Sequence, residues 1–578
     1  MSPEPLLRRF GPRLVLLVLT AGAFLAAWRV PYKLESDTAF QVKGIQQWLA
    51  GDTPNPGTLL LPDPADLGRD AAVWSNWWPP AFPFLYAPLA AAGLPLGTAL
   101  RATSLLLFLA GSLGWLRLAE RLETGRSVQL LFAASLAAYA LTIGGAASLR
   151  STDLLSFAAA PWLFSLVLNA GMSVPRALLC GAVLGATYWV RYSLFLVALP
   201  LLLWLALGQA LDRGRELRGR MGRMAALGAG FALPVLLLLT FNLSRSEDVG
   251  ETVSGNRSAW MLEDKPAVPP LRLALSFAGA PGLALFQNDL WITHLTHFSD
   301  ARLPRLRGVA PEDRRALKAL LGLPATLALL WGLARERRRR PGSPVLLAVA
   351  VMGLFYLALA ALSAAYHFDY LANEPRLASG FMPLAQLLAL SGWLSGGGRT
   401  WRGRTLAAGA LAACFALPLL FAAASFLKND LHDRLRPPYR ASRTGLLVTE
   451  LSDRDVPAVT AAVRDVLRSP GDLLALAGQQ GASCAYVPWL ELPRRVLPMG
   501  PLCAEMGARY FKAANLRSGG RLVSSRPLRI VLVVPAGPAG EADRRRLAAR
   551  IPQARTWRRA PSPAHATVAI WYSDLEIL

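Results

Sequence analysis

Blocks of roughly 18 to 22 consecutive apolar residues constrain this chain more than any other feature, because a helix of that length crosses about 30 Å of hydrocarbon. Inside hydrocarbon every backbone polar group must be bonded within its own segment, so helix is the default state for each block. The blocks fall at residues 12–30, 97–119, 127–148, 153–170, 174–191, 192–209, 225–243, 316–334, 344–362, 376–396 and 405–425. Composition agrees: 53% of the 578 residues are apolar and only 17% charged, and mean hydropathy is positive. A soluble chain of this size is rarely so apolar.

A net charge of +24 invites a nucleic-acid reading, and its distribution excludes one. Arginine clusters recur in every second connection: Arg8, Arg9 and Arg13, then Arg117, Arg121 and Arg126, then Arg176, Arg213 to Arg223, Arg335 to Arg340, and Arg399 to Arg404. With the N-terminus in the cytoplasm, all of these lie on one side of a membrane, as the positive-inside rule requires. A nucleic-acid surface has no reason to alternate with apolar helices. The first block lacks a small-residue cleavage site, since Trp28, Arg29, Val30 and Pro31 follow it, so we expect it to remain as an anchor. Four cysteines are too few for a disulfide scaffold; Cys484 and Cys503, both in the tail, are candidates for one bridge.

This topology leaves three long segments on the outer side: 31–96, 244–315 and the tail, 426–578. The first opens with an expected amphipathic helix from Ser36 to Ala50, closed by Gly51, with Val42, Ile45 and Leu49 as a membrane-facing stripe. A proline-rich loop follows, then Trp74, Trp77 and Trp78, which suit the headgroup level. Residues 81–93 are too short to span and read as a half-helix. In the second segment, Leu271 to Leu295 reads as an interfacial hairpin, because a further crossing would place Arg335 to Arg340 outside. The tail has ordinary hydropathy. Strand patterns at Cys484–Trp489, Arg529–Val534 and Thr567–Tyr572 alternate there with helical patterns at Val459–Leu467 and Ala542–Ala549, which predicts a small α/β domain. The fold class expected is an all-α multi-pass membrane protein of about eleven spans with that domain outside.

Ionisable residues near lipid are costly and mark function. Asp37, with Glu35 two residues earlier, begins the first outer helix; alone, a helix dipole would explain it. Asp153 sits in the short outer turn Leu149-Arg150-Ser151-Thr152-Asp153, either as a helix-initiating acid after Thr152 or as a group that orients an acceptor or holds a cation. Lys43, Arg150, Arg191 and Arg376 run against the positive-inside trend and are candidates to bind phosphate, with snorkelling to headgroups as the plain alternative. His294 and His297, near Asp289 and Asp300, have metal-ligand spacing, a pattern common by chance, and no metal or other cofactor is expected. Gly181 and Gly185 form a small-xxx-small pair suited to helix packing.

The succession of first span, Asp37, Phe40, Trp48, Leu49 and Gly51, then Trp78-Pro79-Pro80 and Gly93, resembles the GT-C glycosyltransferase superfamily. Within it the resemblance is to the bacterial branch that includes aminoarabinose transferases and protein O-mannosyltransferases. It covers residues 10–210 and the region 366–390. There Asn373-Glu374-Pro375-Arg376-Leu377 is similar to the family's acidic-x-Arg-Tyr, with Leu377 where a Tyr is expected. The resemblance implies a protein of the bacterial inner membrane that moves a sugar from a polyprenyl-phosphate carrier to a lipid, glycan or protein acceptor on the extracytoplasmic face. It implies Asp37 as general base and a second acidic residue at Asp153. Arg376 falls within the resembling motif as a candidate at the donor phosphate, alongside Lys43, Arg150 and Arg191 from the topology, and Glu35, Trp78, Tyr366, Tyr370 and Glu374 are candidates around the substrate. Partners would be the donor, the acceptor and membrane lipids, with no nucleic acid. A flippase for a lipid-linked glycan is the competing class, and an O-antigen polymerase or ligase the next. The span centres are almost purely Leu, Ala, Gly and Val, which disfavours a transporter, whose sites lie at mid-membrane.

Overall fold

The computed structural model describes residues 4–30, 32–34, 36–74, 79–149, 152–169, 172–212, 216–244, 267–285, 311–365, 367, 369–373, 375–395, 409–411, 420, 423–424, 426–427, 446–448, 456–476, 495–498, 520–561 and 568–576. The chain opens with α1 (Glu4–Ala27), β1 (Tyr32–Leu34), α2 (Ser36–Leu49), β2 (Thr58–Asp63), β3 (Asp66–Trp74) and α3 (Ala81–Ala91). Next come α4 (Leu96–Arg121), α5 (Arg126–Thr142), β4 (Ser148–Leu149), α6 (Asp153–Leu168), α7 (Val174–Val190), α8 (Tyr192–Leu211) and α9 (Leu217–Leu243). Then follow α10 (Pro270–Leu283), α11 (Pro311–Arg339), α12 (Val345–Ala365), α13 (Tyr370–Asn373), a 3-10 turn (Pro375–Gly380) and α14 (Met382–Ser395). The tail contributes β5 (Leu446–Val448), α15 (Val456–Val466), β6 (Leu473–Leu476), β7 (Arg495–Pro498), β8 (Leu528–Pro535), α16 (Pro538–Arg550), β9 (Arg558–Arg559) and β10 (Val568–Leu575).

Helices thus stand on the first ten apolar blocks, and the eleventh, 405–425, lies almost wholly outside the described residues. Among the described residues five helices are long and apolar enough to cross a membrane: α4, α8, α9, the Ala319–Arg339 part of α11, and α12. Five further apolar helices are shorter, among them α3, the half-helix anticipated at 81–93. Leu203, Leu207, Leu233, Leu236 and Leu237 on α8 and α9 are exposed. An apolar stripe of that extent is tolerable only against lipid or a partner. The protein is membrane-embedded.

Glycines set the helix spacing. A Cβ on Gly181 or Gly185 would strike the backbone of Leu227 or Phe231, and one on Gly230 the carbonyl of Leu178, so α7 and α9 touch backbone to backbone. Gly279 and Gly282 of α10 meet Ala319 and Gly322 of α11 in the same way. This corrects the interfacial hairpin expected from 271: α10 packs into the bundle, with Ser276 and Gly279–Leu283 buried. The rest of that stretch, from 286, lies outside the described residues.

The outer elements differ most from expectation. The proline-rich loop is a β2–β3 hairpin with an irregularity at Pro62/Asp63. Gln47 of α2 serves it as a surrogate strand: its amide donates to Leu60 O and its Oε1 accepts from Leu60 N. Val42 and Ile45 are fully buried in a second core, not turned to lipid. This core joins α2, the hairpin and one face of a five-stranded sheet ordered β7-β6-β8-β10-β9. Burying two such side chains is worth roughly 1.5–3 kcal/mol each, more than an interfacial site offers. Alternation along the strands divides the sheet: Leu474, Val531, Val533 and Ile570 belong to this second core with Val463 and Leu467, while Leu473, Ile530, Leu532 and Val534 face a third core under α16. Trp74, expected at the headgroups, donates to Asn242 Oδ1 and packs edge-on against Phe241 of α9. Gly51 does close α2, at φ +81°, where a side chain would be strained. Strands at β8 and β10 and helices at α15 and α16 stand where the tail patterns predicted them; Cys484–Trp489 and Cys503 lie outside the described residues.

Candidate functional site

Three short parallel strands, ordered β4-β1-β5, assemble one end of the bundle. The registers Leu34↔Leu149 and Leu34↔Val448 bring together segments from the start, the second quarter and the tail of the chain. α2 leaves β1 with Asp37 in its first turn, and α6 leaves β4 with Asp153 as its first residue. The two acids, 116 positions apart, therefore emerge past the carboxyl ends of neighbouring strands. Thr38 tightens this junction by donating to Leu149 O at 3.3 Å. The backbone of Asp37 is placed in α2; its side chain lies outside the described residues.

Asp153 is fully buried and holds two arginines. Arg191 Nη2 lies 2.6 Å from its Oδ1, and Arg376 Nε 3.6 Å from its Oδ2. Arg191 is the single extended residue between α7 and α8, at φ −168° and ψ 139°. The helical hydrogen bonds resume on either side of it, through Arg191 N to Thr187 O and Phe195 N to Arg191 O. One extended residue thus turns the guanidinium into the bundle, where it also donates to Thr152 Oγ1 at 2.7 Å and Ser193 Oγ at 2.6 Å. The Thr152 hydroxyl, expected to cap α6, is spent on Arg191 instead. Arg376 arrives on the 3-10 turn that heads α14, and Ser379 of that turn donates to Asp153 O at 3.2 Å. Two guanidiniums around one carboxylate leave a net positive charge, and Arg376 is 22% exposed by side chain. Such a centre attracts an anion and has little use as a proton acceptor.

Lys43 is buried on α2. Six residues after Asp37 it lies about 240° around the helix, on the side where Gln47 meets β2. Burial pushes its ammonium down to about 8, and the Asp52 charge raises it only partly back. Tyr370 packs against the bundle core, its backbone N donating to Ser363 Oγ at 3.0 Å. Glu35, Trp78, Arg150, Tyr366 and Glu374 lie outside the described residues, as do Asp289, His294, His297 and Asp300. Among the described residues no three His, Cys, Asp or Glu are grouped for a metal ion.

Sequence reasoning missed a second buried pair behind Arg376. Asp369 is fully buried, 3.6 Å from Arg272 Nε of α10, and accepts from Ser276 Oγ at 2.7 Å and Ala372 N at 3.1 Å. An aspartate at the end of an apolar helix was the available signal. A groove lined by Phe40, Gln41, Gly44, Trp74 and Pro80 lies alongside α2. The first three lie three, four and seven residues beyond Asp37, on the same helical face.

No protein-family model matches the chain, and no curated protein matches it by sequence. Solved structures match it in fold. ArnT from Cupriavidus metallidurans bound to undecaprenyl phosphate superposes with a TM-score of 0.53 at 12% identity, covering 97% of this chain and 98% of that one. The apo state of the same protein gives 0.50 at 11% identity and 98% of both chains. The chain shares the fold of this protein over nearly its whole length.

Proposed function

We propose that the protein transfers a sugar from a polyprenyl-phosphate carrier to an acceptor hydroxyl on the extracytoplasmic face of a bacterial inner membrane, with inversion. The convergence of Asp37 and the Asp153–Arg191–Arg376 centre past the in-register ends of β1 and β4 carries this reading. The acceptor oxygen attacks the anomeric carbon. Its proton passes to Asp37, and the bond from that carbon to the phosphate oxygen breaks with its electron pair leaving on the carrier. Arg191 and Arg376 supply the positive field in which that phosphate departs, and Asp153 holds them in place. Desolvation beside the membrane and late proton loss make an ordinary carboxylate an adequate base.

The test incubates purified protein with labelled polyprenyl-phosphate sugars and membrane extract. Asp37→Asn should lower the transfer rate by roughly 10²–10⁴-fold. Chelation with EDTA should leave the rate unchanged, since arginines meet the leaving charge. Equal transfer by wild type and Asp37→Asn would overturn the assignment, and no transfer from any donor would favour a flippase.

A further inference from the structure

The catalytic machinery so far described makes no use of a buried arginine lying behind it. Arg101, on the second turn of α4, is 5% exposed. Its Nη1 donates to Trp28 O and its Nη2 to Val30 O, each at 2.9 Å. These carbonyls belong to the chain just past α1, which ends at Ala27. The guanidinium also lies 5.4 Å from the Trp28 ring and 4.9 Å from the Tyr32 ring. One turn along the same face of α4, Ser104 Oγ bonds the hydroxyls of Tyr32 at 2.9 Å and Tyr86 of α3 at 3.2 Å.

The cluster reaches the second carboxylate strand as well. Gly145, at φ +77° and three residues before β4, presses against it so closely that a Cβ there would lie 2.7 Å from Tyr32 Oη and 2.9 Å from Ser104 Cβ. Tyr32 is itself the first residue of β1, and Asp37 follows five residues later. One buried cluster thus grips the approach to β1 and the approach to β4. Burying an arginine near lipid is expensive, and a simple span boundary would not need it.

We propose that Arg101, with Tyr32 and Ser104, is a positioning residue for glycosyl transfer: it fixes the exit of the first span, and through β1 sets Asp37 at its working distance from the arginine centre. This rests on Asp37 being the base. A bidentate fork suits the task because it fixes two carbonyls in direction as well as distance, which a lysine does not.

The experiment measures kcat, donor KM and thermal midpoint for wild type, Arg101→Lys, Tyr32→Phe and Asp37→Asn, and for each of the first two changes combined with Asp37→Asn. Arg101→Lys should lower kcat by roughly 10- to 100-fold with donor KM within about twofold, as a base moved by a fraction of an ångström would. Tyr32→Phe, which removes one hydroxyl and keeps the carbonyl clamp, should lower it by less. In the Asp37→Asn background neither change should reduce the rate further, because the group they position is gone. Full multiplication of the two losses, or unchanged kcat in both single variants, overturns the proposal. If Arg101→Lys does not fold, the Tyr32→Phe pair decides by the same criterion. A wild-type protein that transfers no sugar overturns the reading beneath the proposal and the proposal with it; a wild type that transfers, beside indifferent variants, overturns the proposal alone.

Discussion

At Asp153, two arginines share one carboxylate that water does not reach. Removing one member of such a group strands charge, at a cost of roughly 3–5 kcal/mol. Asp153→Asn should therefore lower the thermal midpoint in detergent and weaken transfer together, whereas Asp37→Asn should weaken transfer alone. Lys43 offers a cleaner titration. Its folded pKa, about 8, lies below the ordinary 10.5, so the folded protein holds this proton less tightly than the unfolded chain. Below pH 8 the full penalty of burying the ammonium is present; as pH rises from about 8 to 10.5 the penalty vanishes and stability climbs. The shift corresponds to on the order of 3 kcal/mol. Lys43→Met should thus be stabilising at pH 7 and lose that advantage by about pH 10.5, read from thermal midpoints. Lys43 also shows what a sequence conceals: the β2–β3 hairpin that meets its side of α2 through Gln47 was not legible from a run of prolines.

Among the elements, those with a repeating pattern were legible and those made by pairing were not. Ten apolar blocks carry helices, and five described helices are long and apolar enough to cross a membrane, because length and hydropathy are readable without knowing any partner. Of the stripe expected to face lipid on α2, Val42 and Ile45 are buried and Leu49 is exposed, because nothing local says that α3 and the β2–β3 hairpin will pack against the helix. β1, β4 and β5 are three, two and three residues long, below any periodicity, and exist only because they pair. Arg191 was legible because an arginine between two apolar blocks has no topological excuse; its partner Thr152 was assigned to the wrong duty. Helix spacing yields a paired prediction. Gly230→Ala should lower the thermal midpoint, since its Cβ would collide with Leu178 O, while Gly228→Ala, with open space, should hold or raise it by up to about 1 kcal/mol of helix propensity.

Across the whole molecule, the tail is stitched to the first outer segment rather than tethered beside it. Arg495 of β7 donates from Nε to Asp70 Oδ1 at 2.7 Å and from Nη1 to Leu67 O at 2.8 Å, and Nη2 meets Arg69 O at 2.5 Å. Ser525 N bonds Asp66 Oδ1, and Leu67 N bonds Val523 O. Arg495→Ala should open this seam and make the β2–β3 hairpin accessible to limited proteolysis, at a cost of roughly 1–3 kcal/mol for each carbonyl left buried without a donor.

The pairing of β5 with β1 has a consequence in time. Every helix through α14 is made before residue 446 leaves the ribosome, so a nascent chain can hold all of them while β1, the strand that leads into α2 and Asp37, still lacks one neighbour. The three-stranded end of the bundle is therefore complete only once the tail has reached back to the first strand.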